Sequence, residues 1–446
     1  METKQGKRAP AFRRAIMKAS PQTLPGMTRQ VAWFLAFNAL LHVGLLGISD
    51  AILNFYFVSL GHGPETIGML QSLPRVGGFL TSLPIGLLAD RFGARRVTIV
   101  STVGVFGTYA MLILWPDLVL LGVSRFLLGL FYGAIQIATT PLLIALSLPE
   151  HEVHTFSYLN VVSMGGTAVG SLIGGVLPLM AAGAFPSATA AAGMVAEKTP
   201  FAYQVALGVA GLIVLISVIP LLRLTDVKHA DAPAAGIALS LSKRVPWRTL
   251  IWLSSPLLVF GFTGGLTFPF YNLFFRTTFG VPDRTIGTIL SLGWIGMALV
   301  PLANPWWERR YGRAPALGLT LGVAAIAFLG LSAAPGLVAS VVCYVVAISF
   351  RNVMQPLFQP LIMDTLPPNL HNITSSVGMV LWNIGWFSAT AISGFWQKAY
   401  GFDVIMRIVA AGVLVNGVMV VLLFRNRPPY YRAPAVDALS SERKTA

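Results

Sequence analysis

Between residues 31 and 424 the chain is a succession of apolar runs, each long enough to cross a bilayer as a helix. A helix rises about 1.5 Å per residue, so a hydrocarbon core about 30 Å thick needs about 20 apolar residues. Twelve stretches meet that requirement: 31–60, 65–89, 96–115, 118–147, 155–182, 201–224, 249–275, 285–305, 314–334, 337–364, 372–396 and 403–424. Only 11% of the 446 residues are charged and 55% are hydrophobic. Soluble domains carry about 25% charged residues. The expected fold class is therefore an all-α membrane protein, embedded in the lipid bilayer.

The sparse charges divide the chain. Residues 1–30 form a basic N-terminal tail, without the apolar core of a signal peptide, and 425–446 form a C-terminal tail. Asp226, Lys228, Asp231, Lys243, Arg244 and Arg248 make 225–248 a polar linker between two sets of six spans, 31–224 and 249–424. Of 31 Lys and Arg residues, 23 fall in the two tails, the linker with its junction at Arg223, and the loops after spans 2 and 8, against five on the opposite face. The positive-inside rule then places both termini and the linker in the cytoplasm of a multi-pass protein of the cell membrane. That bias accounts for the net charge of +15 without nucleic acid as a partner. The lone cysteine, Cys343, excludes an intramolecular disulfide. His151-Glu152-Val153-His154 spaces its histidines three apart, where a zinc-protease helix needs four. No metal or cofactor is expected, no nucleophile elbow or paired carboxylates occur, and no phosphate-binding G-x-x-x-x-G-K-[ST] appears. An enzyme is disfavoured.

Spans 2 and 3 are joined by Gly86-Leu87-Leu88-Ala89-Asp90-Arg91-Phe92-Gly93-Ala94-Arg95-Arg96. A charged hairpin between two such runs belongs at a membrane surface, since a charge near the bilayer centre costs about 3 kcal/mol. The pattern G-x-L-A-D-R-x-G-x-R-R resembles the loop between the second and third helices of the major facilitator superfamily (MFS). A second sign is internal repetition. An offset of 219 residues matches Gly61, Gly68, Ser72, Gly93, Gln136, Gly166 and Gly175 to Gly280, Gly287, Ser291, Gly312, Gln355, Gly385 and Gly394. The resemblance implies two six-helix bundles related by a pseudo-two-fold along the membrane normal, rocking about a midplane site. It also implies a gating role for Gly86, Asp90, Arg91, Gly93, Arg95 and Arg96, with Asp90 latching against the start of span 11. In the second half Asp90 becomes Arg309, and Glu308 stands one residue out of register.

Ionisable residues inside spans are costly and are functional candidates by default. Of sixteen acids only Asp50 lies well inside a span, with Asn54 one turn on; Arg75 of span 2 matches its depth. Low dielectric favours a neutral carboxyl and a nearby cation favours the charged one, so a group balanced between them binds and releases a proton. Arg125 opens Arg125-x-x-x-Gly129 in span 4, similar to a motif of proton-driven antiporters in the superfamily. Proton coupling is expected of Asp50, with Arg75 and Arg125 as its partners, and the resemblance implies a part in proton transfer for Arg125. Arg125, Gly129, Tyr132 and Gln136 share one helical face. The repeat maps them onto Tyr344, Ile348, Arg351 and Gln355 of span 10. Spans 4 and 10 are thus expected to line the substrate cavity, with Asn54, Tyr271, Asn272, Trp382, Asn383 and Trp386 at similar depth.

The expected function is alternating-access secondary transport of a small molecule by a monomer. Two readings of the same fold stand open. One is proton-coupled export of lipophilic or amphiphilic compounds; the other is transport or exchange of organic anions, whose carboxylates suit arginine forks. The Gly-Pro of the family's span-5 antiporter signature is missing from Gly166-x-x-x-Gly170-x-x-x-Gly174-Gly175, though the glycines permit close helix packing. A non-transporting receptor or intramembrane enzyme is the remote alternative.

Overall fold

A computed structural model describes residues 26–185, 199–225 and 245–425, without the side chains of 82–90, 153, 369 and 372. Most of both expected tails and of the 225–248 linker lies outside the described residues. The described residues form helices and no strands. Within hydrocarbon no water satisfies backbone N–H and C=O groups, and a helix satisfies them within its own segment.

In chain order the helices are α1 (Arg29–Ser59), α2 (Pro64–Phe92), α3 (Ala94–Leu114), α4 (Leu118–Leu146), α5 (Glu152–Ala184) and α6 (Pro200–Leu222). They continue with α7 (Trp247–Phe279), α8 (Asp283–Tyr311), α9 (Arg313–Ala333), α10 (Leu337–Asp364) and α11 (His371–Phe424). Among the described residues ten stretches, not the expected twelve, are long and apolar enough to cross a membrane. Helix α2 is not among them, its hydropathy lowered by Arg75 and neighbouring prolines and glycines. One of the ten, Ile373–Phe424, contains two expected spans joined at Gly401, whose φ of 76° and ψ of 175° interrupt the helix.

Helix starts are written locally. Thr28 accepts from the Val31 N–H at 3.2 Å, and Asp117 accepts from the Val119 N–H at 2.9 Å, so each satisfies a donor the first turn leaves open. Thr199 caps α6 in the same way, with Pro200 in the first turn. The tight turns repeat as the sequence does. Gly61 and Gly280 have φ of 86° and 64°, and Gly93 and Gly312 have φ of 89° and 79°, a region that disfavours residues with a Cβ.

Two helices depart from regularity where polar residues follow. Val43–Ser49 of α1 is π-helical and ends immediately before Asp50. Phe268–Phe270, around Pro269, is a 3₁₀ turn within α7, immediately before Tyr271 and Asn272. Such irregular turns gather at functional positions.

The chain divides into two compact units that cut across the repeats. The first holds Met1–Ser242 with Phe268–Ala298 and Thr390–Ala399; the second holds Lys243–Thr267, Leu299–Ala389 and Tyr400–Ala446. In the first unit the glycine run of α5 lies along α1, where a Cβ on Gly166 would come within 2.8 Å of the Ala39 carbonyl oxygen. Gly175 instead faces α8, and a Cβ there would sit 3.0 Å from the Gly287 Cα. The repeat counterpart of that contact occurs in the same unit: Gly68 of α2 meets Gly394 of α11, whose N would lie 3.0 Å from a Gly68 Cβ. Matched glycines therefore pair as Gly175 with Gly287 and Gly394 with Gly68. Two helices approach this closely only where neither carries a side chain.

Gly287→Val and Gly394→Val are each expected to destabilise the purified protein by about 1–3 kcal/mol through overpacking. Gly107→Ala, which meets nothing within 4 Å, is expected to be neutral or stabilising. Thermal unfolding in detergent measures both; equal effects at all three positions would contradict the pairing.

Candidate functional site

The first unit assembles a polar core from four helices. Gly129 of α4 lies against the Pro74 backbone of α2, and Gly77 of α2 lies against the Phe126 and Leu130 backbone of α4. That approach sets the face of α4 beginning at Arg125 against the face of α2 carrying Gln71 and Arg75. Arg125 is buried, and its Nη2 donates to Gln71 Oε1 at 2.6 Å. Gln71 Nε2 donates to Asn54 Oδ1 at 2.6 Å, and Asn54 Nδ2 donates to Asn272 Oδ1 at 2.8 Å and to the Pro269 carbonyl at 2.6 Å. Asn272 Nδ2 ends the series on the carbonyls of Asp50 and Ala51, each at 3.1 Å.

Asp50 begins the α-helical turn after the π-helix, and its exposed side chain contrasts with fully buried Asn54. The charges of Arg125 and Arg75 both act on the Asp50 carboxyl, and Arg75 also interacts with Tyr132. The three residues expected to couple protons therefore form one electrostatic group, with Tyr109 and Tyr132 beside it. Ser49, Leu53, Thr108, Tyr109, Leu112, Ser124, Arg125 and Leu128 enclose a small recess next to it. Tyr132 accepts from Gln136 Nε2 at 3.0 Å, and Gln136 is exposed.

The structure places other expected cavity residues differently. Asn54, Tyr271 and Asn272 do not line open space here: all are buried. The amides are held by the hydrogen bonds above, and Tyr271 packs edge-on against Phe268 with ring centroids 6.1 Å apart. The break at Pro269 explains this. It turns the start of the second α7 segment onto the Asp50 and Ala51 carbonyls.

In the second unit, Arg351 of α10 is buried, donates to the Phe260 carbonyl of α7, and stacks on the Phe260 ring at 4.0 Å. Gly264 leaves room for its guanidinium beside Trp386. Tyr344 is buried and Gln355 exposed. Trp382 and Trp386 lie with ring centroids 5.3 Å apart, and Asn383 donates to the Met379 carbonyl of its own helix at 2.9 Å.

In the expected gating loop, Gly93 supplies the positive-φ turn before α3. Arg95 Nε and Nη2 donate to the Leu221 and Leu222 carbonyls at 2.9 and 3.0 Å. A cation there satisfies carbonyls that the end of α6 leaves open. Arg91 and Arg96 are exposed, with Arg91 5.3 Å from the Phe92 ring centroid. The side chains at 86 and 90 lie outside the described residues, so the Asp90 latch is not visible. In the second loop Glu308 accepts from Arg313 Nε at 2.6 Å, and Arg313 also pairs with Asp364 at the end of α10. Glu308 is thus engaged within its own unit.

A second cluster in the first unit escaped the sequence reading. Asp283, 4% exposed, pairs with Arg276 and accepts from the Tyr203 hydroxyl at 2.9 Å. Arg276 also donates to Tyr203 at 3.2 Å and lies 3.6 Å from the centroid of the Phe55 ring. Both charges stand at helix ends, where sequence alone reads them as loop charges, and Tyr203 is eighty residues away. Gln71 was missed for a similar reason, although it lies four residues before Arg75 on the same face of α2.

The family model of the Major Facilitator Superfamily matches residues 35–390. The chain is 28% identical over 110 residues to a multi-drug resistance efflux pump PmrA homolog of Lactococcus lactis, covering 25% of this chain and 27% of that protein. It is 28% identical over 153 residues to the efflux pump azaK of Aspergillus niger, covering 31% and 30%. The matches thus span under a third of either relative. Among solved structures, a bacterial homolog of the human lysosomal transporter Spinster, in an inward-facing and occupied conformation, superposes with a TM-score of 0.71 at 13% identity, covering 89% of this chain and 96% of that one. The inward-open xylose transporter XylE of E. coli gives 0.68 at 12% identity, covering 92% and 98%. These likenesses show the fold.

Asp283→Asn is expected to destabilise the protein by about 1–3 kcal/mol, because it leaves the half-buried Arg276 charge without its counter-ion. Adding Arg276→Gln should recover part of that loss. Thermal unfolding of the two singles and the double measures the coupling; additive losses would contradict it.

Proposed function

The chain belongs to the Major Facilitator Superfamily and is a multi-pass membrane transporter rather than an enzyme, and we propose that it exports lipophilic or amphiphilic small molecules in exchange for protons. One observation carries the coupling: a single accessible carboxylate, Asp50, lies within the field of two arginines deep in the first unit. Proton binding there removes one negative charge from a group with two positive ones, so it changes how strongly Arg125 and Arg75 are drawn toward α1. A transporter needs such a difference between states, since a ligand shifts a conformational equilibrium only through unequal interaction with its two ends.

Export is supported by the likeness to two efflux pumps. A lipophilic substrate class fits the aromatic and apolar composition around the candidate polar residues. The organic-anion reading has weaker support, because Arg125 and Arg351 already donate to protein acceptors. The charge count supports cytoplasmic termini in the cell membrane and puts the loop that carries Asp90 on the cytoplasmic side. In that orientation the Gly61 and Gly280 turns are outer.

Reconstituted protein in liposomes with an inside-acid pH gradient tests the proposal. Ethidium, a lipophilic cation, is expected to accumulate while the gradient dissipates, and Asp50→Asn should reduce the coupled proton movement to the protein-free background. Accumulation of ethidium with no proton movement would overturn the coupling. Exchange of fluorescein, an organic anion, with no response to ethidium would establish the second reading instead.

A further inference from the structure

The amide series from Arg125 has a direction that chemistry imposes. A guanidinium has donors only, so Gln71 must turn its oxygen to Arg125 and its NH₂ to Asn54. Asn54 must then offer its oxygen to Gln71 and its NH₂ to Asn272, which donates in turn to the carbonyls of Asp50 and Ala51. Each flip is forced by the one before it. The series starts at Arg125, whose charge acts on the Asp50 carboxyl, and ends on the Asp50 and Ala51 carbonyls.

Its far side has a mechanical position. Asn54 holds the Pro269 carbonyl in the 3₁₀ turn of α7, and Asn272 holds the α1 backbone where the π-helix ends. One turn further along both helices, Arg276 stacks on Phe55 and pairs with Asp283. The α2–α11 contact at Gly68 and Gly394 belongs to the same unit. Whatever moves Gln71 therefore acts on the α1–α7 clasp.

We infer that Gln71 is the positioning residue that links the engagement of Arg125 to the α1–α7 clasp, so that a change of charge at Asp50 is felt at that end of the transporter. The inference rests on the proposed proton coupling. When Asp50 is charged, its field draws on Arg125 while Gln71 accepts from the guanidinium. When Asp50 is neutral, that pull is removed, the guanidinium turns, and Gln71 follows its only charged partner. Its NH₂ then leaves Asn54, which frees the Pro269 and Asn272 contacts to separate. The charged and titratable groups acting on Asp50 are Arg125 and Tyr132 of α4, Arg75 of α2 and Tyr109 of α3; none of them touches α7 directly in the series, and Gln71 supplies the connection.

Spin labels on cysteines at Thr66 and Ala399, in a Cys343→Ala background of the full chain in liposomes, report the separation of α2 and α11 by pulsed dipolar spectroscopy. Between pH 8 and pH 5, the wild type should gain a longer distance, and Asp50→Asn should hold one distribution throughout. Gln71→Leu should abolish the pH response and raise the long-distance population about fivefold at pH 8, as loss of a typical hydrogen bond implies. Gln71→Glu keeps an acceptor for Arg125 and loses the donor for Asn54; it should fold and lose the response likewise, which separates the link from mere packing. A pH response that survives in Gln71→Glu overturns the inference while leaving the proton coupling intact. A wild type whose response persists in Asp50→Asn, or is absent, overturns the coupling itself and the inference with it.

Discussion

A guanidinium buried among helices must have its donors met, because an unpaired charge in low dielectric costs several kcal/mol. Arg125 meets part of that demand at Nη2 with one amide, and the orientation of that amide dictates two more. The polar core of the first unit follows from this constraint. Gln71, Asn54 and Asn272 are fixed in rotation as well as in place, and the α7 break at Pro269 has a carbonyl to offer because the helix is interrupted there. The glycines that let α2 approach α4 are what bring Arg125 within reach of Gln71. Remove the close approach and the guanidinium has no acceptor.

The same logic separates the two interior arginines. Arg125 binds a side-chain amide that itself is held by others, whereas Arg351 binds a backbone carbonyl and an aromatic face. A backbone carbonyl in a helix cannot turn away, and a stacked ring holds the guanidinium plane. The repeat relates the faces that carry these residues, yet one arginine ends on a series of side-chain amides and the other on backbone and an aromatic ring.

Closure at the Gly61 and Gly280 end of the first unit has three layers of different chemistry. Glycine pairs bring backbones together, an ion pair buried with Tyr203 and Phe55 adds a directional contact, and Glu65 bonds Lys398 at 2.7 Å at the exposed edge. The exposed pair contributes little, as such pairs do. The glycine contacts set the distance, and the buried pair makes separation costly unless its charges find water. Under the proposed transport cycle these surfaces would have to part, which calls for contacts that hydration can replace.

The sequence by itself determined the helical membrane fold, the repeat, the family and the identity of the interior charges. Those follow from span length, charge sparsity and a constant offset, all of which are local or one-dimensional properties. Asp50, Arg75 and Arg125 were legible because a charge in hydrocarbon needs a reason. The tertiary structure decided the partners. Gln71 gave no signal beyond its spacing from Arg75, because a glutamine carries no charge to explain. Arg276 and Asp283 looked like loop charges until Tyr203 and Phe55 were folded over them. Asn54 and Asn272 were placed in an open cavity because depth along a helix is readable from sequence, while rotation about its axis is set by the π-helix and the Pro269 turn. Hydrogen-bond direction, the property on which the coupling argument depends, exists only once four helices have brought a donor-only group to the end of an amide series.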